Sequence, residues 1–196
     1  MLELQPPYRR AVPGDAKALA ELGNMAGDGM PLYIWSGMAE PGQSPWDVGR
    51  ARAGRETGSF SYRNAVVLEH DEGVAACLIG YPLENDPAPA DYSDIPPMFV
   101  PLQQLEDMAP GTWYVNVLAT YPEQRGKGFG RGLLEVAEAI AADLGKSGLS
   151  IIVSDANAGA RRLYERQGYI EKAKRPMVKN GWRNRGANWV LLVKNL

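Results

Sequence analysis

The sequence predicts an α/β domain in which helices flank a central mixed sheet of about six or seven strands. Three observations carry this. From residue 112 onward, strand-like and helix-like patterns alternate as β-α-β-α-β-β, and a strand, a crossover helix and a second strand of that spacing pair in parallel with a right-handed connection. Two apolar runs, residues 63–70 and 73–81, are separated only by Asp71-Glu72 and read as an antiparallel hairpin. With 196 residues, 45% hydrophobic and 22% charged, the chain suits one domain over 1–196, able to bury about 70% of its unfolded surface.

Taken in order, residues 8–12 are a short strand. Pro13, Gly14 and Asp15 stop it and open a helix, in which Ala18, Leu19, Leu22 and Ala26 recur at three- and four-residue spacings until Gly27. Residues 30–46 are apolar but broken by Pro31, Gly37, Pro41, Gly42 and Pro45, so they read as irregular, with Ser44-Pro45 opening a helix toward Thr57. After the hairpin, residues 83–110 hold six acidic side chains, six prolines and no Lys or Arg, which marks an insertion loop. Leu102, Leu105 and Met108 imply a short helix inside it. Residues 112–120 form a strand and residues 125–131 a glycine-rich turn. The long helix that follows has Leu133, Ala137, Ile140, Ala141 and Leu144 on one face and Gly145 and Gly148 at its end. Another strand at 149–155, a second helix and two late strands complete the order.

Composition excludes several classes of function. A net charge of −2 offers no global field for a polyanion, so no nucleic-acid partner is expected. The single Cys77 rules out an internal disulfide, and with the lone His70 it argues against a metal site of the usual ligand count. There is neither a basic start followed by an apolar core nor a run of eighteen apolar residues, so no membrane partner is expected and the cytoplasm is the expected location.

The turn Arg125-Gly126-Lys127-Gly128-Phe129-Gly130-Arg131 lies where a strand gives way to a helix. Backbone N–H groups converge there at the positive end of the helix dipole, and glycines let the main chain approach a ligand closely. That arrangement suits phosphate, with Arg125 and Lys127 able to add charge. A P-loop would need Ser or Thr after Gly-Lys, where Gly128 stands. A dinucleotide fingerprint would need a glycine at Arg131 or Leu133. Both readings fail.

The next signal is Asn157-Ala158-Gly159-Ala160-Arg161-Arg162-Leu163-Tyr164, running on to Gly168-Tyr169 after a strand that ends at Ser154-Asp155. The strand ending Leu118-Ala119-Thr120, the [QR]-x-x-G-x-[GA] turn at 125–130 and this N-x-x-A-x-x-L-Y-x-x-x-G-[FY] helix together resemble the GNAT superfamily of N-acetyltransferases. The resemblance implies acetyl-CoA as cosubstrate, with its pyrophosphate on the main chain of Gly126, Lys127, Gly128, Phe129, Gly130 and Arg131. It also implies splayed central parallel strands, the pantetheine arm lying along Leu118, Ala119 and Thr120, and an oxyanion donor among the N–H groups near Leu118. Tyr164 is carried over as general acid, although an aromatic on an amphipathic helix also fits a core. Asn157 is carried over as a residue near the pantetheine, and it is equally a good N-cap.

The implied reaction is direct attack of a primary amine, of a small molecule or a peptide, through a tetrahedral intermediate. A protonated amine cannot attack, and the inward positions on the central strand, Tyr114 and Asn116, hold no effective base at neutral pH. A water relay, an insertion acid (Asp91, Asp94, Glu106 or Asp107) and an already neutral acceptor all remain open. So does an acetyl-CoA-binding sensor or regulatory module without turnover. Tyr33, Trp35, Trp46, Phe60, Tyr62 and Trp182 could wall an amine pocket, with at least half of them expected in the core. Lys172, Lys174, Arg175, Lys179, Arg183 and Arg185 oppose the acidic insertion in sign, so the two could meet within one chain or across a homodimer.

Overall fold

A computed structural model of the protein describes residues 2–71, 73–87 and 91–196. Glu72 of the expected hairpin turn and residues 88–90 of the expected insertion lie outside the described residues. Seven strands order as β1-β2-β3-β4-β5-β7-β6 in a mixed sheet. The chain divides into two compact units, Met1–Tyr81 with Asn116–Glu135, and Pro82–Val115 with Val136–Leu196.

In the first unit, β1 (Tyr8–Arg10) pairs antiparallel with β2 (Ala65–His70), and β2 with β3 (Gly73–Pro82), with an irregularity between Leu68 and Glu69. Asp15 does open helix α1 (Ala16–Ala26), but its carboxylate turns backward. It accepts from the Val12 N–H at 2.8 Å and from both terminal nitrogens of Arg9 at 2.7 and 3.0 Å, which staples β1 to the helix start. Ser44 caps α3 (Pro45–Ala53) as its hydroxyl accepts from the Trp46 N–H at 3.3 Å.

Between them lies a correction, because residues 30–38 form a regular helix, α2 (Met30–Met38). Its prolines do not prevent this. Gly29 at φ +82° turns the chain into the helix, Pro31 falls in the first turn where no N–H is needed, and the Asn24 side chain accepts from the Leu32 N–H at 3.0 Å. Burial of Trp35 against Ala20 and Val48 repays the weak local pattern. A Cβ at Gly49 would stand 2.5 Å from the Trp35 ring, so only glycine lets α2 and α3 approach so closely. The main core of the unit joins Leu19 and Leu22 to Tyr62, Ala65, Val67, Cys77, Ile79 and Val117.

The second unit holds α4 (Val100–Glu106), the first half of β4 (Thr112–Thr120), β5 (Gly148–Ser154), α6 (Ala158–Arg166), β6 (Ile170–Pro176) and β7 (Asn188–Asn195). β4 and β5 pair in parallel from Thr112–Gly148 to Val115–Ile151, where the ladder stops although both strands continue. β7 pairs antiparallel with β5 and with β6, so it lies between them. The acidic segment is more than a loop, since Met98, Leu105 and Ala109 are buried and α4 lies against β5, β6 and β7. Helix α5 (Phe129–Asp143) buries Leu133, Ala137, Ile140 and Ala141 as expected. Leu144 departs from that face: it follows the end of the helix and is half exposed. Among the described residues no helix is long and apolar enough to cross a membrane.

Candidate active site

The phosphate-type turn is built from backbone. β4 ends at Thr120, the Tyr121 N–H donates to Ala75 O at 3.0 Å, and a single 3-10 turn over Pro122–Gln124 redirects the chain. Gly126 and Gly128 follow at φ +79° and +83°, a region costly for any residue with a Cβ, and no atom lies within 4 Å of where either Cβ would point. The Gly132 N–H closes the first turn of α5 on Gly128 O at 3.1 Å. The N–H groups of Phe129, Gly130 and Arg131 are then the ones that a helix start leaves without intrahelical acceptors. They stand at the positive end of the dipole, where a diphosphate would be held.

The charged side chains of this turn already have protein partners. Arg125 Nε donates to Thr120 O at 3.3 Å and Arg131 pairs with Glu135 at 2.9 Å. Lys127 Nζ donates to Gln124 Oε1 at 2.8 Å, stands 3.0 Å from His70 Nε2 and 3.9 Å from an Asp71 oxygen. The His70 ring meets Phe129 edge-on at 5.2 Å. Sequence reasoning missed His70 and Asp71 as neighbours of the turn. The signal was available: β3 and β4 are sheet neighbours, so the tip of the β2–β3 hairpin belongs near the end of β4. Leu118, Ala119 and Thr120 are half-buried, beyond the point where the parallel ladder stops. Nearby, the Tyr121 hydroxyl donates to Glu21 at 2.5 Å, and burial, reinforced by Glu21, raises its pKa.

The second unit carries the other two predicted residues. Asn157 Oδ1 accepts from the Ala160 N–H at 3.1 Å, so Asn157 is the N-cap of α6. Tyr164, on that helix, is buried beside Tyr169 with ring centroids 5.8 Å apart, and burial pushes its phenol above the usual range. Tyr114 is buried too, and its pKa is raised first by burial and then by the Glu106 charge. Among the four insertion acids, Asp107 is engaged by the Tyr92 hydroxyl and by Gln103, each at 2.8 Å, and Asp91 accepts from the Ser93 N–H at 2.9 Å. Glu106 is the one whose charge acts on Tyr114. Of the aromatic set, Trp35, Tyr62 and Trp182 are buried in the folded chain, while Tyr33 is exposed.

The sheet is mixed, a glycine turn stands at the start of α5, and the central parallel ladder stops partway. The model of the acetyltransferase (GNAT) family matches residues 34–169, and the chain belongs to that family. Among solved structures, an acetyltransferase is 23% identical over 96% of this chain and 98% of its own, with a TM-score of 0.65. An N-acetyltransferase from Staphylococcus aureus Mu50 is 20% identical over 95% of this chain and 98% of its own, with a TM-score of 0.64. A protein from Bacillus anthracis str. Ames, solved in complex with acetyl coenzyme A, is 12% identical over 67% of this chain and 61% of its own, at a TM-score of 0.50. These likenesses speak for the fold. No curated protein matches the chain by sequence.

Proposed function

We propose that the protein is an N-acetyltransferase that moves an acetyl group to a primary amine of a small molecule or a peptide. Acetyl-CoA is the cosubstrate. The observation that carries the reading is the turn at 126–131: two glycines in the left-handed region, open space around them, and three helix-start amides without intrahelical acceptors. These residues fit a diphosphate, because the charge is met by main-chain dipoles already in position, at no cost of reorganisation. Bound there, the coenzyme would supply an activated acyl thioester.

The remaining roles fall to this chain's own side chains and amides. Leu118, Ala119 and Thr120 present strand backbone beyond the parallel ladder, and an N–H near Leu118 is the donor toward developing negative charge. Tyr164 holds a proton at its phenolic oxygen, and its burial keeps that proton on at neutral pH, as a donor to a leaving thiolate requires. Asn157 fixes the start of the helix that carries Tyr164.

The test is a free-thiol assay with acetyl-CoA against polyamines, amino acids, aminoglycosides and N-terminal peptides. Amine-dependent thiol release with matching acetylated product is expected. Tight coenzyme binding with no release across the panel would overturn the reading in favour of a binding module without turnover.

A further inference from the structure

We propose that the β6–β7 loop is a carboxylate-binding site and that the acceptor amine is therefore an amino acid; the word acceptor here rests on the amine-acetylating reading above. The loop, residues 177–187, contains Lys179, Arg183 and Arg185 and no acid. These three cations, with Trp182 and Asn184, line an open cavity of about 520 Å³. Arg183 and Arg185 are exposed and, among the described residues, neither makes an ion pair. Arg9, Arg63, Arg131 and Arg161, by contrast, pair with Asp15, Glu56, Glu135 and Glu171.

The loop is held in shape, which separates it from an ordinary solvated charge run. The Trp182 N–H donates to Lys179 O at 2.8 Å, Lys179 Nζ donates to Asn184 O at 2.8 Å, and the Gly186 N–H donates to Asn184 Oδ1 at 2.6 Å. Trp182 stacks on Trp189 of β7 at 5.9 Å with an interplanar angle of 8°. The acid at the base of the loop, Asp155, is already engaged. It accepts from the N–H groups of Ala187 and Asn188 at 2.9 and 3.0 Å and from Asn188 Nδ2 at 2.9 Å. Two guanidinium groups two residues apart thus sit in a preformed loop, neither in an ion pair among the described residues, beside the Trp182 indole. A planar guanidinium matches a carboxylate with two parallel hydrogen bonds.

Its place in the chain ties the loop to the reaction. Ser154 Oγ lies 3.5 Å from Asn184 Oδ1, and Ser154-Asp155 leads within three residues to Asn157, the cap of the helix that bears Tyr164. All of these residues belong to one compact unit. A carboxylate held at Arg183 and Arg185 would anchor a small acceptor at the root of that helix. The rival anion is a phosphate of the coenzyme itself, and the experiment separates the two.

Initial rates are measured with each proteinogenic amino acid and its decarboxylated amine, on the full chain and on Arg183→Gln/Arg185→Gln. The unsubstituted protein should show a lower KM for its preferred amino acid than for the matching amine, by about ten-fold, and the double variant should lose most of that ratio. Arg183→Lys/Arg185→Lys should restore part of it, and thermal melts establish that both variants are folded. Equal use of the two amines by the unsubstituted protein overturns the proposal. So does a rise in the acetyl-CoA KM without a rise for the amino acid, which would give the cations to the coenzyme. Calorimetric titration with the same amino acids needs no turnover. Binding that the Gln pair abolishes, in a protein that never releases thiol, would keep the carboxylate site and sink the acetyltransferase reading. Absence of binding beside active transfer to simple amines would do the reverse.

Discussion

Tyr164, proposed above as the proton donor, is suited to that role by its burial. A proton donor must still be protonated when it is needed, and a buried phenol pushed above its usual pKa near 10 stays so across the working range. Tyr164→Phe should therefore lower kcat by about a hundred-fold with little change in the acetyl-CoA KM. The unsubstituted enzyme should show no fall in kcat that tracks phenol ionisation at or below pH 10; a fall there that vanishes in Tyr164→Phe would contradict the assignment. Asp15 shows the opposite sign. Burial would raise its carboxyl, but the Arg9 guanidinium and the Val12 N–H outweigh it and hold the pKa below the ordinary value. A carboxyl lowered in the fold stabilises fully above its unfolded pKa near 3.9, and the contribution is lost as pH falls through the lower folded value. Asp15→Asn should cost about 1–3 kcal/mol at neutral pH, with the gap between the two melting curves closing toward pH 2. Both side chains were visible in the sequence, Tyr164 through its motif and Asp15 through Pro-Gly-Asp. The Arg9 partnership was not, because it depends on where β1 ends.

Local elements follow local chemistry wherever one residue type dictates a backbone state. Gly126 and Gly128 occupy the left-handed region, so an added Cβ strains the turn by about 1–2 kcal/mol each even though the space around it is open. Gly128→Ala should raise the acetyl-CoA KM by about ten-fold with a smaller effect on kcat, because the substitution displaces the amides and leaves Tyr164 alone. An unchanged KM would mean that the turn holds nothing. Helix α2 is the counterexample. Its prolines and mixed apolar pattern read as irregular, and it forms because Gly29, the Asn24 side chain and the pocket for Trp35 supply what the periodicity lacks. The cap of α6 was legible for the same local reason as the glycine turn: Asn after a strand bonds an amide three residues ahead.

Across the whole chain, the buried thiol offers a measure of how the core holds together. Cys77 is fully buried between β2 and β4 neighbours and its pKa is pushed up by burial, so no nucleophilic thiolate is presented in the folded state. An aromatic disulfide reagent should label it only as fast as the chain unfolds, measured in parallel by circular dichroism; faster labelling in native buffer would show that the strand pair opens locally. The sequence by itself determined the succession of strands and helices apart from α2, the glycine turn, the α6 cap and the family motifs, because each is a pattern of neighbouring residues read through fixed backbone periods. Only the tertiary structure decided that β7 inserts between β5 and β6, that the central parallel ladder stops at Val115, that His70 reaches Lys127, and that the acidic insertion folds its α4 onto strands. Those outcomes depend on partners far apart along the chain, and their energies arise from pairing and burial that no local window contains.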